Sequence, residues 1–413
     1  MVGITAPPTE ALRDAGRPLF ADGLHGARVE GHRARLRDAI AEIVPLQAAA
    51  EEQRRFPPEA IRILGDAGVF RERWKGGGHG DLGRSVILAE ELGYAGLGGV
   101  GIGISLHLEA VTAILTRFAR SEPAREALEA ALDGRMIGCL ATSEEHAGSD
   151  LTSIATQLAP AGSGYRLTGR KWFVSPGDAA DFALVLCRRV ESEGARRGRV
   201  APLAVALVPR SGLVVERVLE TVGMRSLGTA RMTVDAEIGA DALVAKPGVG
   251  LLAVTWGLTH ERLAIAAQAL GTARLALELA VARTARRRQF GAPLFEHQAL
   301  RLRIADLAAQ VEIARRGVHA TAAELPTLPE GGLRSAAAAK VTATRLAARV
   351  QDEALHLFGG SGYVETETPL GRIWRDGRIG RLGAGSDEVM WELVAAGLQT
   401  GGEAYERLIA PAD

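Results

Sequence analysis

The residues with the clearest chemical potential lie in Thr259–Gly291, where a carboxylate, Glu261, precedes a long apolar run. Between Leu263 and Ala285 there is no proline and one glycine, and Ala and Leu are frequent, which favours a helix. Glu261, Gln268 and Thr272 interrupt the run at spacings of seven and four, which places them on one stripe of that helix. A buried carboxylate there would accept a proton near neutral pH. The pattern alone still favours a solvated or ion-paired Glu261, so the choice depends on the rest of the chain.

Two other features could indicate chemistry, and both have simpler interpretations. The glycines at positions 76, 77, 78 and 80 could hold a phosphate, but no GK[ST] follows them and no strand pattern precedes them, so they predict an ordinary loop. Cys139 and Cys187 form no CxxC pair, which argues against a disulfide framework and a zinc site. We expect both cysteines to fill apolar space in a reducing compartment, and we expect no metal.

The composition is that of a neutral, helix-rich chain of more than one domain. Its 413 residues exceed one simple core, so two or three domains are expected. A formal net charge of zero gives no electrostatic reason to expect nucleic acid or an anionic membrane as a partner. The N-terminus lacks a signal pattern, and the apolar run contains Gln268, Arg274 and Glu278, which argues against a membrane span. We therefore expect a cytoplasmic protein.

The elements that must position Glu261 follow the order helices, strands, helices, which predicts an α+β architecture. We expect a leader at 1–30, an N-terminal helical domain at 31–135, a middle antiparallel β domain at 136–245, a C-terminal domain of four helices at 246–400, and a tail at 401–413. Short β-favouring runs predict strands at Ile137–Thr142, Gly164–Leu167, Phe182–Cys187, Leu203–Val208, Val214–Val218 and Arg231–Val234. The charged segment Glu191–Gly198 predicts an exposed hairpin tip.

Four stretches in order resemble the acyl-CoA dehydrogenase family of flavoproteins, over residues from about 30 to 400. The first two are Ser143–Asp150, SEEHAGSD, similar to the family's TEPGAGSD, and Gly169–Ser175, GRKWFVS, similar to GxKxWIT, with Asp181 following. The last two are Arg287–Gly291, RRQFG, with Gln298 downstream, and His356–Tyr363, HLFGGSGY, with Arg375–Asp376 and Gly385–Glu388 downstream. One such match is weak, whereas four in order are specific. The resemblance implies the same three-domain fold as the patterns above.

The resemblance also implies FAD as the cofactor. The AGSD turn would bring backbone N–H groups and the Ser149 hydroxyl to it, Phe173 would lie against the isoalloxazine, Ser175 would donate to N5 or O4, and Arg287 would face the pyrophosphate. The residues assigned to the cofactor in this way are Leu140, Thr142, Ser143, Gly148, Ser149, Phe173, Ser175, Arg287, Phe290, Gln298, His356, Gly359, Gly360, Ser386 and Glu388. Without the resemblance, AGSD is as readily a tight turn, and WFVS is better explained as an ordinary strand. The other two stretches are then a solvated basic helix end and a loop that ends a helix. In this family the last two stretches reach the FAD of a neighbouring subunit, which implies a homotetramer or dimer.

The family's reaction, as the resemblance implies it, needs one carboxylate. This base removes the proton α to a thioester carbonyl while hydride leaves the β-carbon for flavin N5. Many members carry it in a C-terminal EGT motif, but the matching residues here are Ala384–Ser386, and Ala384 cannot accept a proton. A minority branch, including isovaleryl-CoA and long-chain dehydrogenases, carries it on the buried helix in an ER pair, here Glu261–Arg262. We therefore predict Glu261 as the base and the Ala384 N–H as a donor to the thioester oxygen.

Two further residues are assigned to the substrate, Ser149 and Arg262, and we expect Arg262 to anchor the start of the helix by pairing with an acid. Glu145 and His146 replace the family's Pro and Gly near the substrate mouth, so the acyl carrier can be coenzyme A or a carrier-protein phosphopantetheine. Phe173 for Trp, Ser175 for Thr and His356 for Gln are smaller departures at the cofactor.

The sequence thus predicts an FAD-dependent acyl thioester dehydrogenase of fatty acid or secondary metabolism that passes electrons to an electron-transfer flavoprotein. Neither nucleic acid nor a membrane is expected as a partner. Two alternatives stay open. A flavin oxygenase or oxidase on the same fold would consume oxygen with substrate. A non-enzymatic binding protein that retains the fold would carry no flavin.

Overall fold

The computed structural model describes residues 27–190, 202–328, 332–398 and 402–409. Most of the predicted leader, and the predicted hairpin tip Glu191–Gly198, lie outside these ranges. Within them the chain runs from helices to strands and back to helices, which confirms the α+β architecture.

The N-terminal region is helical, as predicted. Its α-helices are Ala27–Ile43 (α1), Leu46–Gln53 (α2), Glu59–Asp66 (α3), Val69–Arg73 (α4), Leu82–Tyr94 (α5), Gly98–Ser105 (α6), Thr112–Phe118 (α7) and Glu122–Leu132 (α8), with a π-helical turn at Leu106–Val111 between α6 and α7. The Asp81 carboxylate caps α5 by accepting a hydrogen bond from the Arg84 amide at 3.1 Å. The glycines at positions 76–80 form the predicted loop before this cap.

The middle region is a sheet. Its strands are Gly138–Ala141 (β1), Gln157–Ala161 (β2), Gly164–Val174 (β3), Phe182–Arg189 (β4), Leu203–Pro209 (β5), Leu213–Val218 (β6), Ala230–Ile238 (β7) and Leu243–Ala245 (β8). Their order in the sheet is β6–β7–β3–β2–β4–β5–β8, and β1 pairs with β4. Most pairs are antiparallel, as predicted, but β4 pairs in parallel with both β1 and β2. The sequence did not predict β2 or β8, because β2 contains a proline and lacks β-branched residues, and β8 has only three residues.

The C-terminal region is helical, as predicted, and four helices make up most of it. They are Gly250–Arg286 (α9), Gln298–Glu324 (α10), Leu333–Phe358 (α11) and Asp387–Ala395 (α14), with a two-stranded turn, Arg288–Gln289 (β9) and Ala292–Pro293 (β10), and short helices Gly360–Tyr363 (α12), Leu370–Gly377 (α13) and Glu403–Leu408 (α15). Since α9 begins at Gly250, Glu261 and Arg262 lie about three turns inside it. The expectation that Arg262 anchors the helix start is therefore wrong. Gly257 and the β-branched Thr255 and Thr259 weaken the helical signal before Glu261.

Helix α9 is held in place by unusually close contact with α5. A Cβ atom at Gly93 would collide with the Gln268 carbonyl oxygen, and one at Gly271 would collide with the Glu90 carbonyl oxygen. Two glycines, one from each helix, thus let the backbones touch. Helix α9 and the segment Gly98–Phe118 are long and apolar enough to span a membrane, but 78% and 83% of their most apolar windows are buried against the rest of the chain. Their hydrophobicity is therefore used in internal packing.

Candidate active site

Glu261 lies inside the helical core, where its carboxylate is incompletely partnered. The residue is 5% exposed, and its Oε2 has no hydrogen-bond partner among the described residues. Burial raises the pKa of Glu261 to about 7, against the opposing positive charges of Arg262 and Lys340. The solvated alternative is thus excluded for this side chain. A buried carboxylate with this pKa has the protonation behaviour that a general base needs near neutral pH.

The loop at residues 383–386 is fastened beside this carboxylate by two buried cations. Nε of Arg262 donates to the Ala384 carbonyl at 2.9 Å, and Nζ of Lys340, from α11, donates to the Gly385 carbonyl at 2.7 Å. The expectation that Arg262 pairs with an acid is wrong, because its Nε donates to this backbone carbonyl instead. The neighbouring acid, Glu261, projects about 100° away around the helix. Helices α9 and α11 therefore each hold the loop that carries Ala384.

The backbone of this loop leaves amide donors available, including the one predicted to bind the thioester oxygen. Leu382 and Gly383 both donate their amides to the Ile379 carbonyl at 2.8 Å. The Ala384 amide has no such partner within the described ranges, and Ala384 adopts the left-handed conformation with φ +54°. Such a conformation is uncommon for a non-glycine residue and is held here by its surroundings. The predicted oxyanion donor is thus free to bind a ligand.

The residues after Ala384 anchor the loop to α14. The Ser386 hydroxyl caps that helix by accepting from the Val389 amide at 3.4 Å. Asp387 is buried and pairs with Arg345 at 3.1 Å and Arg381 at 2.7 Å, whereas Glu388 is exposed. The predicted cofactor contacts of Ser386 and Glu388 stay predictions.

A cavity opens along α9 beyond Glu261. Its wall includes Ile265, Gln268 and Thr272, which follow Glu261 by four, seven and eleven residues and so lie on the predicted stripe. Helix α6 can approach this wall because Gly101 has no side chain, since a Cβ there would come within 2.8 Å of the Gln268 Nε2.

A second cluster lies in the β domain, where the predicted residue Leu140 lies in β1 and Thr142 and Ser143 follow that strand. Lys171, on β3, is 0% exposed and donates to the Thr142 carbonyl at 3.0 Å and to Glu144 at 2.7 Å. The Trp172 amide donates to the Ser143 carbonyl at 2.9 Å. The structure therefore brings the first and second family-like stretches together. Gly148 and Ser149 lie on the exposed turn that follows.

Phe173 and Ser175 stand at the end of β3, where the pairing with β7 is interrupted. Phe173 has φ +56° and is 63% exposed, which is unusual for a large aromatic side chain at a strand end. The Ser175 hydroxyl is nearly buried and lies 2.8 Å from the Thr229 hydroxyl. Phe173 thus offers an aromatic face to a ligand, as the resemblance implies, and Ser175 already has one partner.

The other predicted cofactor residues lie at the far end of the helical domain. Those at the end of α9 and the start of α10, namely Arg287, Phe290 and Gln298, are exposed, Phe290 by 95%. Those at the end of α11, namely His356, Gly359 and Gly360, are exposed as well, and open space lies in front of both glycines. Arg283 lies over the Phe358 ring, 5.5 Å from its centre, so the two ends are neighbours.

Three residues that the sequence did not single out organise these sites. Lys171 and Glu144 hold the turn after β1, and Lys340 holds the loop of Ala384. A signal existed for Lys340, because it stands alone in the small, apolar run Ala336–Ala343 of a predicted helix. A charge in such a run needs a partner when the helix is buried.

The three regions match the domains of one family in order. Residues 30–135 match "Acyl-CoA dehydrogenase, N-terminal domain", residues 139–236 its "middle domain" and residues 248–399 its "C-terminal domain". The chain belongs to the acyl-CoA dehydrogenase family.

Its relatives include enzymes that act on two kinds of thioester. The acyl-[acyl-carrier-protein] dehydrogenase MbtN of Mycolicibacterium paratuberculosis is 44% identical over 361 residues, which cover 87% of this chain and 91% of that protein. The mitochondrial short-chain specific acyl-CoA dehydrogenase of Bos taurus is 31% identical over 362 residues, 86% of each chain. The solved structure of butyryl-CoA dehydrogenase from Megasphaera elsdenii superposes with a TM-score of 0.82 at 26% identity, covering 91% of this chain and 99% of that one.

Family, fold and site together define the class of enzyme. The protein is a flavin-dependent acyl thioester dehydrogenase, an oxidoreductase acting on CH–CH groups. The oxygenase, oxidase and non-enzymatic alternatives are not favoured. The prediction of the family and of its three-domain fold is confirmed.

Proposed function

We propose that Glu261 is the catalytic base and that the acyl group occupies the cavity along α9. The observation that carries this proposal is the buried Glu261 carboxylate with an unpartnered Oε2, on the same stripe of α9 as the cavity wall. Elsewhere on this helix a buried carboxylate, Glu278, accepts from Arg274 at 3.2 Å and from Tyr94. Glu261 therefore differs from Glu278 in having a carboxylate oxygen that no hydrogen-bond donor among the described residues occupies and that can accept a proton.

In the proposed reaction Glu261 takes the proton from the carbon α to the thioester carbonyl. Negative charge then develops on the carbonyl oxygen, and the Ala384 N–H donates to it, which lowers the energy of the enolate. The cavity, mostly apolar, excludes water from the acyl chain and orients it. Ser149 and Arg262 are proposed to serve the substrate. Arg262 would do so indirectly, by holding the loop of Ala384 through its hydrogen bond to the Ala384 carbonyl.

The cofactor proposed is FAD, which when bound supplies the acceptor for the β-hydride. The exposed ring of Phe173 and the open space at Gly148, Gly359 and Gly360 fit a flat, extended ligand. The residues proposed to hold it are Leu140, Thr142, Ser143, Gly148, Ser149, Phe173, Ser175, Arg287, Phe290, Gln298, His356, Gly359, Gly360, Ser386 and Glu388.

The positions of these residues support a homo-oligomer, proposed as a tetramer. Arg287 follows Glu261 by 26 residues along α9, which corresponds to about 39 Å. This exceeds the reach of one extended FAD, so Glu261 and Arg287 of one chain would serve different cofactors. We further propose a cytoplasmic enzyme whose electron acceptor is an electron-transfer flavoprotein.

The proposed acyl carrier is an acyl carrier protein rather than coenzyme A. The 44% identity to a protein named for that carrier, against 31% for the short-chain acyl-CoA enzyme, supports this choice. The flavin should be bleached faster by an acyl group on phosphopantetheinylated carrier protein than by the same group on coenzyme A. Equal or faster bleaching by the coenzyme A ester would contradict the carrier assignment and leave the dehydrogenase assignment intact.

The test of the base is Glu261→Gln, with Glu278→Gln as the matched control on the same helix. The first variant should retain bound flavin and lose about 10²- to 10⁴-fold in the rate of flavin reduction by substrate, because a general base is removed. The control should reduce its flavin within a few-fold of the normal rate, since Glu278 is partnered away from the proposed site. Full activity in flavin-loaded Glu261→Gln would refute the proposal.

A further inference from the structure

We infer that Lys340 is a positioning residue that aims the Ala384 N–H at the thioester oxygen. This inference rests on the proposed function, because it assumes that the oxyanion forms beside Ala384. It adds a residue on a third element, α11, to the base and the loop. Lys340 itself does not touch the reacting atoms in this assignment.

The geometric argument begins with two consecutive peptide planes. The Ala384 carbonyl belongs to the plane between residues 384 and 385, and the Gly385 carbonyl belongs to the next one. Arg262 fixes the first plane from α9 at 2.9 Å, and Lys340 fixes the second from α11 at 2.7 Å. Upstream, the amides of Leu382 and Gly383 are fixed on the Ile379 carbonyl. The Ala384 N–H belongs to the plane between residues 383 and 384, so hydrogen bonds fix the chain on both sides of it.

The conformation of the loop explains why two fixed points are needed. Ala384 has φ +54° and Gly385 has φ +104°, so the loop passes through a region that a side-chain-bearing residue rarely adopts. An alanine in the left-handed backbone conformation changes to a more favourable conformation unless its surroundings hold it. A hydrogen bond from a cation to a carbonyl is stronger than one between neutral groups. Both cations here, Arg262 and Lys340, are buried.

The burial of Lys340 is otherwise hard to explain. It is 0% exposed, and a charged amine taken from water without a purpose is costly. Burial lowers the pKa of Lys340 to about 8, with Asp387, Glu261 and Glu388 opposing that change and Arg262 reinforcing it. Most of the amine is still protonated at pH 7. A methionine of similar length would fill the space but could not donate to Gly385.

The charge of Lys340 has a second consequence, which gives the test a distinctive readout. The groups that face Glu261 are Arg262 on its own helix and Lys340 on α11, and each lowers the pKa of the carboxylate. Removing Lys340 therefore raises the pKa of Glu261. The rising limb of the pH–rate profile should move to higher pH in Lys340→Met but not in Lys340→Arg, which keeps the charge, so kcat is compared on the plateau above that limb.

The experiment compares Lys340→Met with Lys340→Arg and with Arg349→Met, an exposed cation on the same helix that pairs with Asp306. Lys340→Met should lower kcat about 10- to 100-fold with little change in KM, because a misaimed oxyanion donor weakens mainly the transition state. Lys340→Arg should recover most of kcat, and Arg349→Met should match the unmodified enzyme. Unchanged kcat in a flavin-loaded Lys340→Met enzyme would overturn the inference.

A second measurement separates this inference from the proposed function. 3-Thiaoctanoyl-pantetheine has the thioester end common to both carriers, and its β-sulfur blocks hydride transfer, so only deprotonation occurs. Lys340→Met should weaken enolate formation on the enzyme about tenfold or more, and Glu261→Gln should abolish it. Normal enolate formation in Lys340→Met together with none in Glu261→Gln refutes the role of Lys340 alone. Normal formation in Glu261→Gln refutes the proposed function.

Discussion

Two glutamates of the described residues, Glu144 and Glu261, each lie near a buried lysine beside a loop of the candidate site. They differ in how their carboxylates are hydrogen-bonded. In the β domain both oxygens of Glu144 are partnered, by Lys171 at 2.7 Å, by the Thr156 hydroxyl at 2.6 Å and by the amides of Ala155 and Thr156 at 2.6 and 3.0 Å. In the helical domain Glu261 has an unpartnered Oε2, and Lys340 donates to a backbone carbonyl instead.

The pKa values follow from this difference. Burial alone would raise the pKa of Glu144, but Lys171 and the surrounding donors outweigh it and lower that pKa. For Glu261 burial outweighs the two cations, and the pKa rises to about 7. The comparison teaches that direct contact with a lysine, together with further hydrogen bonds, offsets burial at Glu144, whereas the more deeply buried Glu261 lacks such contacts and keeps a raised pKa.

The largest effect is expected when the ion pair between Lys171 and Glu144 in the β domain is broken. Lys171→Met leaves the Glu144 carboxylate partly buried without its cation, and should destabilise the protein by about 3–5 kcal/mol. Lys340→Met should cost less, because Glu261 can be protonated and the Gly385 carbonyl is neutral. Thermal unfolding of both flavin-free variants measures the difference. If Lys340→Met lost as much stability as Lys171→Met, the contrast between the two pairs would be wrong.

The next expected effect is the pH dependence, where the two acids should act over different ranges. Ionised Glu261 is required for proton abstraction, so kcat/KM should rise about tenfold per pH unit below 7 and level off above it. Glu144 has a pKa lowered from 4.5, so its contribution to stability is present above pH 4.5 and is lost as the pH falls through its folded value.

Rates of flavin reduction and thermal midpoints measured across pH 4–8 check both limbs. The Glu278→Gln enzyme should still show the rise of kcat/KM below pH 7, which makes it the control for a general effect of pH on α9. A rate that stays level from pH 5.5 to 8 would contradict the assignment of Glu261.

The sequence predicted one half of this comparison better than the other. The stripe of Glu261, Gln268 and Thr272 follows from helical periodicity, which is local, whereas the pattern alone favoured a solvated or ion-paired Glu261 and its burial rested on the family resemblance. The pairing of Lys340 with Gly385 joins residues 45 apart in sequence, and that of Lys171 with Thr142 joins residues 29 apart. Such contacts depend on how elements pack, and no local pattern specifies them.

The start of α9 shows the same limit at short range. Gly257, Thr255 and Thr259 have low helix propensity, and tertiary packing overrides it, as the burial of Gly257 and Thr259 against the core shows. The left-handed backbone of Ala384 was also hidden, because alanine carries no signal for that conformation. The fold and its order were thus predictable from composition and motifs, whereas the contacts that tune the site were not.

The smallest expected effect concerns an exposed residue on the flavin side, Phe173. Because its side chain is 63% exposed, Phe173→Leu should leave the thermal midpoint of the flavin-free protein unchanged, in contrast to Lys171→Met. If the ring stacks on the isoalloxazine, its loss should weaken FAD binding about threefold to tenfold, as expected for an aromatic contact of about 0.5–1.5 kcal/mol. Phe173→Trp should restore the affinity. Titration of the flavin-free protein with FAD, followed by flavin fluorescence, measures all three, and equal affinities would show that Phe173 does not contact the flavin.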